Sequence, residues 1–594
     1  MKNLKRVFLI ILSLSLLIPS HVSVIAAEGE TGLKATFYKL DNPDITLKEE
    51  NITGTAVVDN INYDNNPMAD LLKANTGGAV DYTGIRFTGC ITFPEDGEYR
   101  FNVKTDDGHV LFVDGQIAAT NWKNSNAEST TKYKEYKGGV PYHFQLDYAN
   151  AAGHANAVVK WQKYGGEAEV VPASAFTQSD KVVVSPELDP ITKIYTVADA
   201  HLDTMWNWPL EKTVEEYIPK TLNKNFELIE KYPDYKFNFE GAARYELIRE
   251  YYPEAWEKLK DYIAKGRWFA AGSSWESNDL SVQSSESLFR NLLYGNQYFA
   301  DMFGNEHRTK DIWQADFFGS SNVVPSVGVH SNLNSTAMKG IKSKDNPFNG
   351  ATVGTWTGPD GATIAVADTS KTGGYGGNVT SDIRTKYANG IIKTNSMYGF
   401  NGLFMYHGTG DTGGSPKEES VKSLQDAIDT NEGNNVQVIA ARSDWWANEL
   451  TPEQWKSLPN IKYDLSNSQD LGVATSISIG KRWNAHNEKL ATKAEHASTA
   501  AAWVGARAYP IKIFNEAWQR VLLHTFHDDI AGTSTADVKL RSWNDYMISL
   551  KQFKSEYESA LSGMASAMDT TPAKEVALVV NNPIAIDRAD VVDA

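Results

Sequence analysis

The run Ile191-Thr192-Lys193-Ile194-Tyr195-Thr196-Val197-Ala198, followed by Asp199-Ala200-His201-Leu202-Asp203, is where this chain changes its period. A nearly continuous stretch of apolar and β-branched residues reads as a strand buried on both faces, the kind found in parallel sheets covered by helices. The next segments agree. Tyr217 to Tyr232 carries Leu222, Phe226 and Ile229 at helical spacing, Tyr235 to Phe239 returns to a strand, and Ala242 to Ala264 is helical again. Strand and helix alternating in this way predict an α/β domain over residues 191–450, (β/α)-barrel-like in its repeat, with further strands at Asp311 to Ala315 and Leu403 to Tyr406.

Upstream the pattern is different. From about Gly32 to Phe176, short alternating runs such as Ile85 to Phe93, Glu98 to Val103 and Val110 to Val113 are broken by Gly, Asp and Asn, which predicts an antiparallel β-barrel or sandwich over residues 30–178. Asp114-Gly115 is a hairpin signal. Residues 179–190, with Pro186 and Pro190, read as a linker. Downstream, 451–568 is dominated by long helical runs such as Asn487 to Ala506 and Asn515 to His527, suggesting a helix bundle. Val576 to Val580 and Val591-Val592 read as the start of a truncated C-terminal β region over 569–594.

At the other end, Lys2, Lys5 and Arg6 precede the apolar run Val7 to Ile18, then Pro19 and small residues near Ala26 and Ala27. These are the parts of a secretory signal peptide, residues 1–27, so a secreted or cell-surface protein is expected, without stable membrane insertion after cleavage. A length of 594 residues implies several units. One cysteine, Cys90, permits no internal disulfide, so an exported chain must rely on packing and metal; Cys90 itself reads as a small core residue. A net charge of -17 excludes nucleic acid and polyanionic partners as the main target and favours neutral substrates. Oligomeric state has no signature in the sequence.

Three segments far apart carry the candidate chemistry: His201-Leu202-Asp203, Asp316-Phe317-Phe318-Gly319 and His527-Asp528. His-x-Asp at a strand end sends both side chains to one side, and imidazole with carboxylate suits a single zinc ion. Ligand sites in parallel sheets gather at the carboxyl ends of strands, where His201, Asp203, Asp316 and Asp411 all fall. Asp411 lies in the glycine-rich loop Gly408-Thr409-Gly410-Asp411-Thr412-Gly413-Gly414, and His527 must fold back from the helical region.

These residues resemble glycoside hydrolase family 38, the zinc-dependent retaining α-mannosidases. The likeness is carried by Ala200 to Trp208, Trp313-Gln314-Ala315-Asp316-Phe317-Phe318-Gly319, Gly408 to Pro416, Arg482-Trp483-Asn484 with Glu488, and Phe526 to Ser534, in the family's order. Trp275 and Asp279 also fall where that family places a tryptophan and an acid. The resemblance implies that His201, Asp203, Asp316 and His527 hold one zinc and that Asp316 is the nucleophile. Asp411 is then the first choice for acid/base, with Asp279 and Asp528 as weaker ones. Trp206, Trp208, Asp279 and Asp528 are expected around the sugar, Asp528 also orienting His527, and the substrates would be mannose-containing glycans or glycoproteins. Asp199 replaces a histidine common in the family, and Thr525 replaces part of a polar pair.

Residues Gly32 to Tyr38, Phe93 to Tyr99 and the Asp106-Asp107-Gly108 turn resemble the β-barrel domain named for protective antigen. That resemblance makes Asp106 and Asp107 candidate calcium ligands in a glycan-binding module, whereas adjacent aspartates also order turns on their own. Two other functions fit the same residues: a metal-dependent carbohydrate deacetylase, and a non-catalytic glycan-binding surface protein.

Overall fold

The computed structural model describes residues 30–41, 47–122, 125–183, 190–341, 346–466, 471–582, 586–589 and 591. The expected signal peptide and most of the expected linker lie outside them. The chain divides into two units, Met1–Val184 and Ser185–Ala594. Among the described residues no helix is long and apolar enough to cross a membrane.

The first unit is antiparallel β, as the alternation predicts. One sheet runs Ile52–Val58, Leu33–Lys39, Thr83–Thr92, Pro141–Asn150, Gly108–Val113, Gln116–Asn121; a second is built on Asn156–Lys163 and Gly97–Asp106. Alternate side chains Ala157, Val159 and Trp161 point inward, onto Phe93, Phe101 and Phe144. Asp114 and Gly115 take φ of 56° and 75° between paired Val113 and Gln116, the left-handed two-residue hairpin that Asp-Gly favours. Cys90 is half-buried rather than in the core, because Arg86 and Cys90 share the outward face of their strand. A helix, Asn65–Asn75, interrupts the β pattern and buries Met68 and Leu72.

The Asp106-Asp107 turn is ordered by its own bonds. The Asp107 carboxylate accepts the Ala151 N–H at 2.7 Å, Thr105 Oγ1 donates to the Asp107 carbonyl at 2.7 Å, and Tyr148 donates to the Asp106 carbonyl at 2.8 Å. Among the described residues no further acid, His or Cys joins this pair at ligand spacing.

The second unit begins with the strand that opened the sequence, β1 (Thr192–Ala200). It lies parallel to β2 (Phe237–Glu240), β8 (Gly402–Thr409) and β9 (Val436–Ala440), and β3 (Trp268–Ala271) extends the sheet from β2. A second sheet is ordered β4 (Asp311–Gln314), β5 (Ser335–Met338), β7 (Thr363–Asp368), β6 (Val353–Thr357), then Asn460–Ile461. The barrel-like repeat is therefore open. Its strands fall in two five-stranded sheets, and β6 runs antiparallel to β7 because Gly358 to Gly361 joins them as a hairpin.

Helix α1 (Ile218–Lys231) covers β1 and β2 with Leu222, Phe226 and Ile229, the stripe read from its spacing. The stretch Ala242 to Ala264 is two helices, α2 (Ala242–Tyr251) and α3 (Pro253–Ala264), since Pro253 has no N–H to continue a helix and suits its first turn. Helix α4 (Ser285–Phe303) starts at Ser284, whose side chain accepts the Ser287 N–H.

The helical region begins later than 451. Pro452–Ser457 is a short capped helix and Asn460–Ile461 still belongs to the second sheet, so the bundle proper is α6 (Ser478–Trp503), α7 (Ile511–Leu523) and α8 (Ala536–Ala567), with α5 (Glu418–Asp429) earlier on the sheet. Ala491, Ala494, Ala497 and Ala501 give α6 a buried small-residue face. The β region expected from Val576 to Val580 forms no strand; these residues have no regular structure and are mostly exposed, and a lone strand without a partner is not stable.

Candidate active site

The segments leaving β1 and β8 are laced together by backbone. His201 N–H donates to Thr409 at 3.0 Å, Asp203 N–H to Asp411 at 2.8 Å, and Gly413 N–H to His201 at 3.1 Å. This pairing fixes the His-x-Asp segment against the glycine-rich loop. Asp411 has φ 64°, a left-handed conformation that aspartate tolerates better than most residues. Gly410 is required by close approach: a Cβ there would strike the Tyr375 ring.

His527 arrives from the helical region. Its backbone N–H and its Nδ1–H both donate to the Ser277 carbonyl, at 3.1 and 2.9 Å, so Nε2 is the ring nitrogen left for the site. The Asp279 N–H bonds Thr525 at 3.0 Å beside it. Behind, fully buried His524 bridges Asp529 at 2.6 Å and Asp545 at 2.9 Å, tying the turn to α8.

These placements bring the predicted residues together. His201, Asp316 and His527 offer ligand atoms within 4.8 Å of one another, as do His201, Asp203 and Asp411, and Asp203, His527 and Asp528. The Asp203 carboxylate lies 2.9 Å from His201 Nε2 and 3.4 Å from His527 Nε2, with Asp528 3.6 Å from the latter. His527 Nε2 is buried without a hydrogen-bond partner. Two imidazoles and several carboxylates around an orphaned lone pair are a donor set that fits a divalent transition metal. His201 Nδ1 is held by Glu240 at 2.8 Å, a carboxylate–histidine contact of the sort that orients metal ligands.

The electrostatics favour a cation. Burial drives His527 toward the neutral form, but Asp203, Asp528 and Asp316 raise its pKa to about 9. Burial pushes the Asp316 carboxyl up, yet His527, His201 and Lys339 outweigh it and hold it below the ordinary carboxylate range. Asp411 goes the other way: burial first, then Asp203, raise it. Asp528 is pushed up to about 6, by burial and by Asp203 against His527.

Several neighbours had no signal in the sequence. The Lys339 ammonium contacts Asp316, Tyr375 donates to Asp411 Oδ1 at 3.2 Å and faces the His201 ring, and buried Arg244 pairs with Glu276 at 3.0 Å. Each stands on a different element, Arg244 on α2, Tyr375 in a short 3-10 turn and Lys339 just past β5, so no local spacing announces it. Other expectations need revision. Trp208 is not a free sugar wall: its indole N–H is taken by Thr213 and its ring packs on Tyr217. Trp206 stays half-buried, edge-on to Trp208. Asp279 Oδ1 accepts the Ser281 and Val282 N–H groups, so it orders the turn before α4. Glu488 ties α6 to the start of α4 by accepting from Ser284 N and Ser287 Oγ. Asp199 is buried beside His201 and Glu240 with neither carboxylate oxygen hydrogen-bonded among the described residues.

Residues 191–462 match the Glycosyl hydrolases family 38 N-terminal domain, and 471–564 the Alpha mannosidase middle domain. Residues 191–564 belong to glycosyl hydrolase family 38. Residues 29–175 match the PA14 domain. The family 38 part is similar to an alpha-mannosidase of Saccharomyces cerevisiae, 28% identical over 380 residues, covering 60% of this chain and 33% of that protein. It is also similar to human Alpha-mannosidase 2C1, 25% identical over 398 residues, covering 65% of this chain and 36% of that one. The chain thus spans about a third of the length of these relatives. Its fold is shared with an alpha-mannosidase from Enterococcus faecalis V583, at TM-score 0.54 and 21% identity over 65% of this chain and 44% of that chain. The gathered residues fall in both matched stretches, His201, Asp203, Asp316 and Asp411 in the first and His527 and Asp528 in the second.

Proposed function

We propose that this chain is an exported glycoside hydrolase that removes terminal α-linked mannose from glycans with retention of configuration. The observation that carries the reading is the meeting of His201, Asp203, Asp316, Asp411 and His527, from three strand ends and a distant helical turn, at ligand spacing. His201, Asp203, Asp316 and His527 would hold one zinc ion. When bound, zinc supplies Lewis acidity toward vicinal sugar hydroxyls, which favours mannose.

The chain's own residues divide the reaction between two carboxyl groups of opposed tendency. Asp316, kept ionised by His527, His201 and Lys339, attacks the anomeric carbon as the bond to the leaving oxygen breaks. Asp411, whose pKa is raised by burial and Asp203, gives its proton to that oxygen, and the Tyr375 hydroxyl holds the carboxyl in place. Water then attacks the same carbon, Asp411 takes the proton back, and Asp316 is released. Trp206 and Asp528 would border the sugar, Asp528 from beside His527 Nε2.

The test is hydrolysis of an aryl α-mannoside by the full chain, before and after chelation and after zinc is restored. Turnover lost on chelation and regained with zinc is expected. Turnover indifferent to the chelator, or release of acetate from acetylated sugars without release of mannose, would overturn the proposal.

A further inference from the structure

A cavity of about 300 Å³ opens beside the glycine-rich loop and is walled by Lys220, Lys224 and Lys417 with Thr409, Gly413 and Ser415. None of the metal-ligand candidates lines it. Three ammonium groups around one hollow stand out in a chain of net charge -17, and the acids nearby do not cancel them. Glu418 is already engaged by Lys231 and by the Tyr232 hydroxyl at 3.1 Å, leaving exposed Glu227 as the other carboxylate on the rim.

Lys220 is fixed in place, donating to the carbonyl and hydroxyl of Thr412 at 3.2 Å each. Burial, and then Lys224 one turn further along α1, lower its pKa. Lys224 and Lys417 are exposed and make no ion pair or side-chain hydrogen bond among the described residues. The wall is rigid: Thr221 accepts the Gly414 N–H at 2.8 Å and Asn225 donates to the Gly414 carbonyl at 2.7 Å.

Lys220 and Lys224 come from α1 and Lys417 from the loop before α5, so the hollow is lined by lysines of two separate elements. That geometry suits a tetrahedral oxyanion, which accepts bonds on all sides, better than a planar carboxylate, for which a forked guanidinium is the better partner. The volume stands at the small end of ligand pockets, roughly 300–1,000 Å³, and exceeds what a bare ion needs. We propose that this cavity binds a phosphate group, carried on a sugar or free in solution, at a site whose wall is the loop that also presents Asp411.

The experiment is calorimetric titration of the full chain at low salt with inorganic phosphate and with mannose 6-phosphate, mannose being the neutral control. Both phosphates are expected to bind, with heat that falls as salt is added. The exposed double variant K224A/K417A should weaken both about tenfold or more. Single K417A, with an unchanged melting temperature, should give a smaller loss in the same direction. Much tighter binding of the sugar phosphate identifies a glycan-borne group; equal binding identifies the free anion. Phosphate affinity unchanged in the folded double variant overturns the proposal. Neutral aryl-mannoside turnover should stay at the wild-type level in K224A/K417A, so this outcome is separable from failure of the glycosidase reading.

Discussion

Asp316 and Asp411 are both half-buried acids, yet their surroundings push them apart. Asp316→Asn should lower kcat by about 10⁴-fold or more while the protein still binds metal through the remaining ligands. Asp411→Asn should cost about 10²–10⁴-fold with a poor leaving group, much less with an activated aryl group, and should remove the alkaline limb of the kcat/KM profile. Asparagine also accepts the left-handed backbone there, so that variant isolates chemistry from strain. Full retention of the alkaline limb in this variant would assign the proton to another group. Glu240→Gln leaves the proposed ligands intact but replaces the charged acceptor of His201 by a neutral amide oxygen, and metal affinity should fall about 10–100-fold by competitive chelation. At this scale the residues that meet around His201 and His527 were legible because each lies in a short segment with its own pattern. Glu240, Lys339 and Tyr375 were not, since their role exists only after separate strands are brought side by side.

At the scale of elements, β1, β2, β8 and α1 could be read from hydrophobic period alone, within one to three residues of their ends. The breaks were harder. Pro253 splits a helix that apolar spacing makes continuous, and the antiparallel β6–β7 hairpin opens a repeat that suggests a barrel. His524 gives the turn that follows α7 a pH dependence. Its pKa, raised to about 9 by Asp529 and Asp545 against the pull of burial, lies above the value near 6.5 of an unfolded chain. Folding is therefore favoured by protonation, fully below about pH 6.5, and that contribution, on the order of 3 kcal/mol, is lost as pH climbs through 9. The melting temperature should decline over this interval, and His524→Gln should flatten the decline. An unchanged slope in the variant would place the titration elsewhere.

For the molecule as a whole, the centre joins pieces that sequence distance keeps apart, Ser277 and His527 being separated by 250 positions. A ligand bound only by the folded form stabilises by mass action, about 4 kcal/mol at a thousand times its dissociation constant. Chelation should then lower the melting transition of the second unit, and His527→Ala should make it insensitive to chelator. The first unit, with its own core around Phe93 and Trp161, should melt independently of metal. Differential scanning calorimetry with and without chelator reads both.

Ser277 receives two N–H groups from a single imidazole-bearing residue, one from its main chain and one from its ring. That grip removes ring rotation before any ion arrives. Zinc uptake should accordingly follow one bimolecular phase in stopped-flow mixing, its rate linear in concentration, with no slow rearrangement trailing behind.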